Sequence, residues 1–178
     1  ADLRSERLIM MHSGLVRLYD HGNCVPIGEF SLPSVEMCFT RQYNIVIGSK
    51  GSQGGVVPGQ LNIYHYPDME SMHVDSVGLT EIVTAPCADH VVGIVYFNRL
   101  GSPTDSTLLC VYDYAKRRIV KLTKIPSTDG KPLRLWRLGV SPDGGKVLVT
   151  GSESRGNYLV CYDPFSDSVL FRTEIYGP

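Results

Sequence analysis

Four short stretches of this chain line up with one another: LVRLYDHGN (15–23), LNIYHYPDM (61–69), LLCVYDYAK (108–116) and YLVCYDPFS (158–166). Each runs from apolar residues into a tyrosine, then an Asp or His, then a polar turn. The tyrosines are Tyr19, Tyr64, Tyr112 and Tyr162, spaced by 45, 48 and 50 residues. A repeat of this period constrains the fold more than any other feature, because one unit is too small to bury its own apolar surface and must stack on copies of itself.

The content of the unit follows from the runs around each tyrosine. Behind each turn comes a β-prone run: CVPIGEFSL, ESMHVDSV, RRIVKLTKI and SVLFRTEI. Ahead of each tyrosine stretch lies another: RLIMMHS, NIVIGS, HVVGIVYFN and KVLVTGS. In three units one more precedes it: VEMCFT, LTEIVTAP and LRLWRLGV. Val, Ile, Tyr and Thr dominate these runs, and none shows a helical period. The unit is therefore four short strands, and the first unit lacks its innermost one. Four strands at this period predict an all-β chain, a β-propeller segment of about four four-stranded antiparallel blades with the first incomplete. The blades are expected at about 7–32, 33–78, 79–127 and 131–176.

The fourth unit, LRLWRLGVSPDGGKVLVTGSESRGNYLVCYD, carries the clearest motif. SPDGGK (141–146) reads as a turn in which Pro142 presets φ while Gly144 and Gly145 accept positive φ. At this point the chain resembles the WD40 family of propellers. Tyr-Asp or Tyr-His stands where that family has Trp-Asp, and its Gly-His dipeptide is missing from every unit. The long polar loops with a late proline, followed by LNIYHY and LLCVYDY, make units two and three similar to the propellers of echinoderm microtubule-associated-protein-like proteins and of cilia- and flagella-associated WD-repeat proteins. That resemblance implies attachment to a microtubule-based structure, in a cilium, flagellum or the cytoskeleton, and carries over no functional residue.

The glycine-rich stretch GSKGSQGGVVPGQ (48–60) invites comparison with a phosphate-binding loop. Such a loop needs GxxxxGK[ST] between a strand and a helix, whose N-terminus adds positive charge. Here Lys50 lies between two serines, and a proline and another strand follow. The stretch reads as a hairpin loop, matched in the same slot of later units by NRLGSPTDST (98–107) and GSESRGNY (151–158). Loops on a rigid scaffold carry binding, so Lys50, Arg99 and Arg155 are the candidate partner-facing residues, sharing one face. Solvated charge on loop tips is the plainer reading of all three.

Other constellations are weaker. His21 with Cys24 and Cys87 with His90 have metal-ligand spacing, but they belong to units one and three. Four ligands must meet within about 2.0–2.3 Å of one ion, so ordinary turn residues are expected, with no metal and no cofactor. No GxSxG elbow accompanies Ser49, Ser52, Ser102 or Ser152. Asp20, Asp113 and Asp163, with His65 in the remaining place, recur with the repeat and read as turn acceptors. Trp136 is expected in the core.

Composition excludes some partners. Apolar residues make up 43% and charged residues 20%, the net charge is −1 and the pI near 6.6. Neither nucleic acid nor an acidic membrane is favoured, and no apolar run is long enough to span a bilayer. Five scattered cysteines (Cys24, Cys38, Cys87, Cys110, Cys161) read as reduced, mostly buried thiols of an intracellular, cytoplasmic protein. The chain opens on ADLRSER and is expected to be a segment of something longer, with the remaining blades supplied by unseen sequence or another chain. The functional expectation is a non-enzymatic scaffold binding other proteins in a larger assembly. The alternative is a propeller enzyme or small-ligand binder using an axial pocket, for which Glu36 and Glu81 are the best pair.

Overall fold

The structure, a computed structural model of the chain, describes residues 7–12, 15–20, 25–31, 36–40, 45–50, 59–65, 70–85, 87–97, 106–127, 130, 133–153 and 155–175. Among these residues all regular structure is extended. No helix among the described residues is long and apolar enough to cross a membrane.

Among the described residues fifteen strands form four antiparallel sheets that follow one another along the chain. The first has three strands, β1 (Arg7–His12), β2 (Leu15–Asp20) and β3 (Pro26–Ser31). The second runs β4 (Glu36–Phe39), β5 (Ile45–Lys50), β6 (Gln60–His65) and β7 (Glu70–Asp75). The third runs β8 (Thr80–Thr84), β9 (His90–Phe97), β10 (Ser106–Asp113) and β11 (Arg118–Thr123). The fourth runs β12 (Arg134–Val140), β13 (Val147–Glu153), β14 (Gly156–Asp163) and β15 (Ser168–Ile175). Each strand pairs with its sequence neighbour, so every sheet is a meander. The opening strands β4, β8 and β12 lie side by side, with β8 between the other two. That is the radial arrangement of propeller blades around an axis.

Burial explains why the strands differ in pattern. The third sheet is covered on both faces. Its leading face, toward the second sheet, packs Val91, Val95, Cys110 and Tyr112 against Leu61 and Ile63. Its trailing face packs Val92, Ile94, Leu109 and Val111 against Leu135, Val147, Val149, Val160 and Tyr162 of the fourth. Alternate residues of one strand thus serve two different neighbours, and β9 (HVVGIVYF) is a continuous apolar run for that reason. The fourth strands do not share this burial. β7 and β11 are exposed over most of their length.

A β-bulge falls at the same place in every sheet. The register between third and fourth strands shifts at Leu18/Tyr19, Ile63/Tyr64, Val111/Tyr112 and Cys161/Tyr162. The repeated tyrosine therefore marks a conserved change of twist within the molecule. The turns that follow are held by the recurrent carboxylate. Asp113 Oδ1 accepts the Lys116 N–H at 2.8 Å, and Asp163 Oδ1 accepts the N–H groups of Phe165 (2.8 Å) and Ser166 (3.0 Å). Each turn ends on a residue of positive φ, Arg117 (53°) and Asp167 (59°). In the SPDGGK turn Gly144 takes φ 76°, whereas Gly145 does not enter the left-handed region, contrary to the sequence expectation.

A buried tyrosine needs a partner for its hydroxyl; for Tyr112 it lies on the outermost strand of the preceding sheet, and for Tyr162 it is a carboxylate in the turn of its own sheet, beside Thr123 of the preceding one. Tyr112 Oη donates to Asp75 Oδ2 at 2.9 Å. Tyr162 Oη donates to Asp167 Oδ1, which also accepts the Thr123 hydroxyl at 3.1 Å, while Lys121 Nζ reaches Asp167 Oδ2 at 3.1 Å. Burial, with the bond to Asp75, holds the Tyr112 phenol well above the ordinary tyrosine range. Burial, then the bond to Asp167, pushes Tyr162 up to about 12. Burial, then the charge of Asp75, pushes the Cys110 thiol up to about 12.

Two outcomes follow from this packing. An added Cβ at Gly93 would lie 2.8 Å from Leu79 Cβ and 3.2 Å from Ile82 Cγ2. Gly93→Ala should therefore cost about 1–3 kcal/mol, the range for overpacking a filled core, read from the urea midpoint. The second outcome concerns pH. Cys110, Tyr112 and Tyr162 hold their protons more tightly folded than unfolded, so their contribution is complete below the unfolded values of 9.0 and 10.0 and is lost as pH rises toward the raised folded ones. Thermal stability should fall progressively above pH 9, and Tyr162→Phe should make the decline beyond pH 10 shallower. An unchanged slope in that variant would refute the assignment.

Candidate functional site

Propeller function sits at the axis, on the loop ends or on the rim, and the residues present at each can be read separately. At the axis, matched registers identify equivalent positions. Phe39 pairs with Val46, Thr84 with Val91 and Val140 with Val147. Counting three residues back along β4, β8 and β12 gives Glu36, Glu81 and Arg137. By register Glu36 and Arg137 are equivalent, opposite Ser49 and Thr150, whereas a bulge in β8 puts Thr80, one residue before Glu81, at the matching place opposite Ile94.

Glu81 has an unusual backbone. Its φ is 52°, in the left-handed region that non-glycine residues seldom enter. The cause is a bulge in β8: Thr80 pairs with Ile94 and Val83 with Val92, so Glu81 and Ile82 together oppose Gly93. Gly93 has no side chain, which lets Leu79 and Ile82 close over it. The bulge turns Glu81 to Arg137, whose Nη1 donates to Glu81 Oε1 across two sheets. The Arg137 side chain is 75% exposed, so this pair adds at most about 1 kcal/mol. The carboxylate is occupied by a guanidinium on a side chain that largely faces water. Of the pair singled out from sequence, Glu81 is bonded to Arg137, and Glu36 is placed here by its strand position. A second hydrogen bond, Thr84 Oγ1 to the Phe39 carbonyl at 2.6 Å, ties the strands carrying them.

Arg137 was not singled out from the sequence. Its signal lay in aligning the innermost runs by Phe39, Thr84 and Val140, from which it stands three residues back as the two glutamates do. Trp136 requires a correction. It is 38% exposed instead of buried. A register shift between Leu135 and Arg137 makes Trp136 the unpaired residue of β12, and the core positions go to Leu135, Leu138 and Val140.

At one end of the sheets, the turn before β9 meets the SPDGGK turn through Cys87 N–H donating to the Pro142 carbonyl at 2.7 Å. His90 stacks at a tilt against Phe165, centroids 5.9 Å apart, and Tyr114 Oη donates to Asp89 Oδ1 at 3.2 Å. Among the described residues no group of His, Cys, Asp and Glu could hold a metal, and His21 and Cys24 lie outside them. The described cysteines are free thiols, but only Cys110 is fully buried. Cys38 and Cys161 are half-buried and Cys87 is exposed, since turn and sheet-edge positions give less cover than the run around them suggests.

At the opposite end lie the hairpins between second and third strands. Lys50 closes β5 opposite Gln60, with 51–58 outside the described residues, as is Arg99. Arg155 is exposed in the turn between β13 and β14. Behind that turn a buried pair secures the fourth sheet. The Arg172 guanidinium meets Glu153 Oε1, lies 4.1 Å from the Tyr158 ring centroid and donates to the Pro126 carbonyl at 3.3 Å.

No family model matches the chain, and no curated protein does. Solved structures do. The β-propeller domain of Cps50 (Swd1) from Myceliophteria thermophila matches with a TM-score of 0.69 at 12% identity, over 97% of this chain and 53% of that one. Dihydro-heme d1 dehydrogenase NirN, in complex with DHE, matches with a TM-score of 0.54 at 12% identity, over 97% of this chain and 44% of that one. The chain thus spans about half the length of each. Identity this low speaks to architecture alone, and with the radial order of sheets already described it fixes that architecture: the chain has a β-propeller fold, of which the described residues form four consecutive sheets, the first with three strands.

Proposed function

We propose that the chain is a non-catalytic interaction scaffold that displays its rim to other proteins. The observation that supports this reading is where apolar surface is left uncovered. Of twelve large apolar residues exposed among the described ones, eight lie on outermost strands: Met72 and Val74 on β7, Ile119, Val120 and Leu122 on β11, and Val169, Leu170 and Phe171 on β15. Isolated exposed apolar residues are normal, whereas a row recurring with the repeat is the signature of a surface held for contact. Met72, Val120 and Leu170 are the residues that the recurrent bulge leaves unpaired. The same backbone device therefore projects an apolar side chain from each rim position. Arg155 adds an exposed charge at one end, and Lys50 and Arg99 stay candidate partner-facing residues from the sequence.

The setting we assign is intracellular and cytoplasmic, supported by free thiols at Cys38, Cys87, Cys110 and Cys161. Microtubule-associated, ciliary or flagellar proteins are the partners to try first, on the strength of the loop layout of units two and three. The axial alternative, a small-ligand binder or enzyme using Glu36 and Glu81, draws its support from the Glu81–Arg137 pair between adjacent innermost strands and from the strained Glu81 backbone.

Crosslinking in cells followed by mass spectrometry separates the two. Under the scaffold reading specific proteins are captured, and Val120→Lys with Leu170→Lys reduces their capture at least about tenfold while stability changes by no more than about 0.5 kcal/mol, as for other exposed sites. Capture that survives both changes overturns the rim. Turnover or ligand binding abolished by Glu36→Gln, in a chain that still folds, promotes the axis instead.

A further inference from the structure

The cations of this chain are gathered in one place. Five of its seventeen lysines and arginines fall within nine residues, Lys116, Arg117, Arg118, Lys121 and Lys124, and no Asp or Glu lies between 114 and 128. The net charge of the whole chain is only −1. The fold puts this run on the turn before β11, on β11 itself and just past it, at the outer edge of the third sheet. Two of the five are compensated. Lys116 Nζ lies 3.1 Å from Asp113 Oδ2, and Lys121 Nζ lies 3.1 Å from Asp167 Oδ2. Arg117, Arg118 and Lys124 are exposed and meet no carboxylate among the described residues. The other outermost strands are different. β3 carries Glu29, β7 carries Glu70 and Asp75, and β15 balances Arg172 with Glu174.

Register sorts the side chains of β11 onto two sides, because cross-strand partners share a face. Ile119 pairs with Tyr112 and Leu122 with Cys110, on the leading face. Arg118 pairs with Asp113, Lys121 with Val111 and Thr123 with Leu109, on the trailing face. The strand thus shows aliphatic side chains on one side, with Ile119 44% and Leu122 41% exposed, and cations on the other. It also ends the order of its sheet, so among the described residues no strand pairs with its outer edge. Such an edge is a template for a further strand. Charge on an edge can serve simply to prevent pairing. Yet β7 and β15 end their sheets in the same way without a run of cations, so guarding an edge does not account for the sign. A cationic edge refuses β11 of a second copy and admits a strand that is anionic.

We propose that β11 docks an extended acidic segment of a partner protein by strand addition, a segment in which aliphatic residues alternate with Asp or Glu. The inference rests on the scaffold reading of the rim and names the chemistry of the partner. Successive residues of an added strand point to opposite faces. Its aliphatic residues then lie beside Ile119 and Leu122, and its carboxylates beside Arg118, with Arg117 and Lys124 at the two ends. Main-chain hydrogen bonds supply affinity in this mode and the alternating side chains supply selectivity. The six residues of β11 offer about 20 Å of edge at about 3.3 Å per residue. An anionic membrane or a nucleic acid duplex is a poorer occupant. Either would spread beyond one strand onto Glu70 and Asp75 of β7 and Glu174 of β15, which repel it. Single-stranded nucleic acid stacks its bases on aromatic side chains, and β11 has none.

Fluorescence anisotropy on the whole chain tests this with a labelled eight-residue peptide alternating Val and Glu. The peptide should bind, and Arg118→Glu with Lys124→Glu should weaken binding at least about tenfold, as reversed charges at an interface do. Both sites are exposed, so the melting temperature should stay within about 2 °C. The same double variant should take up a peptide alternating Val and Lys, which also shows that it is folded. A peptide with four valines followed by four glutamates should bind at least about tenfold more weakly than the alternating one, because only alternation matches the two sides of the strand. Equal binding of the two orders overturns strand addition, and binding unchanged in the double variant overturns the site. Comparable binding of an eight-nucleotide oligothymidylate, or of phosphatidylserine vesicles, at the same ionic strength overturns the partner class. Self-association that the double variant abolishes gives the edge to a second copy and overturns it too. Crosslinking in cells separates this inference from the wider reading. Capture that Leu170→Lys lowers and the double variant leaves intact overturns the acidic segment and keeps the scaffold. Peptide binding with the stated dependence, but no protein captured, supports the site and sinks the scaffold.

Discussion

The fold depends on the fact that its middle sheet is apolar on both sides. A strand such as β9 presents Val91 and Val95 one way and Val92 and Ile94 the other, and all four are withdrawn from water. A sheet of that kind cannot rest on one layer, and burying a Val or Ile contributes about 1.5–3 kcal/mol only if a neighbour exists. The chain meets the demand by repeating the sheet. Radial stacking lets each copy supply half of the cover its neighbours need, and the outermost strands, farthest from the axis, are left exposed. The rim's apolar residues are then a separate matter from the core, because nothing in the stacking requires them.

The hydrogen bonds between sheets show how the stacking is oriented. Hydrophobic contact is non-directional and would permit neighbouring sheets to slide. Tyr112 with Asp75, Tyr162 with the Thr123–Asp167 pair, and Thr107 with the backbone of β12 each fix one sheet at one height against the next. The tyrosine is suited to this because its ring fills the core while its hydroxyl reaches the edge of the preceding sheet. The bulge beside it takes up the twist that brings ring and partner together.

Much of this was legible in the sequence, for a physical reason. The tyrosine, the following carboxylate and the turn are local features, and Asp113 and Asp163 act within three residues of themselves. Strand identity was legible from β-branched runs. What was not legible depends on register. Trp136 is exposed because β12 bulges at that residue, and no pattern of apolar letters records a bulge. Glu81 and Arg137 are 56 residues apart and meet only once β8 and β12 are side by side. The partners of the tyrosines, Asp75 and Thr123, lie 37 and 39 residues upstream, on strands that read as solvent-facing.

The two ends of the stack differ in chemistry as well as position. At the leading end the first sheet turns outward the cross-strand pair Arg17 and Glu29, and water solvates it at no loss. At the trailing end the fourth sheet turns outward Leu148 and Phe171, which water does not reward. Stacked repeats place polar residues on a face that meets solvent and apolar residues on one that meets a neighbour. Among the described residues the two faces thus differ in kind, one carrying an ion pair and the other apolar side chains. The same asymmetry opposes simple head-to-tail pairing of copies, because joining the ends would press an ion pair onto a greasy surface, and a charge withdrawn from water without full hydrogen-bonding costs more than the contact returns.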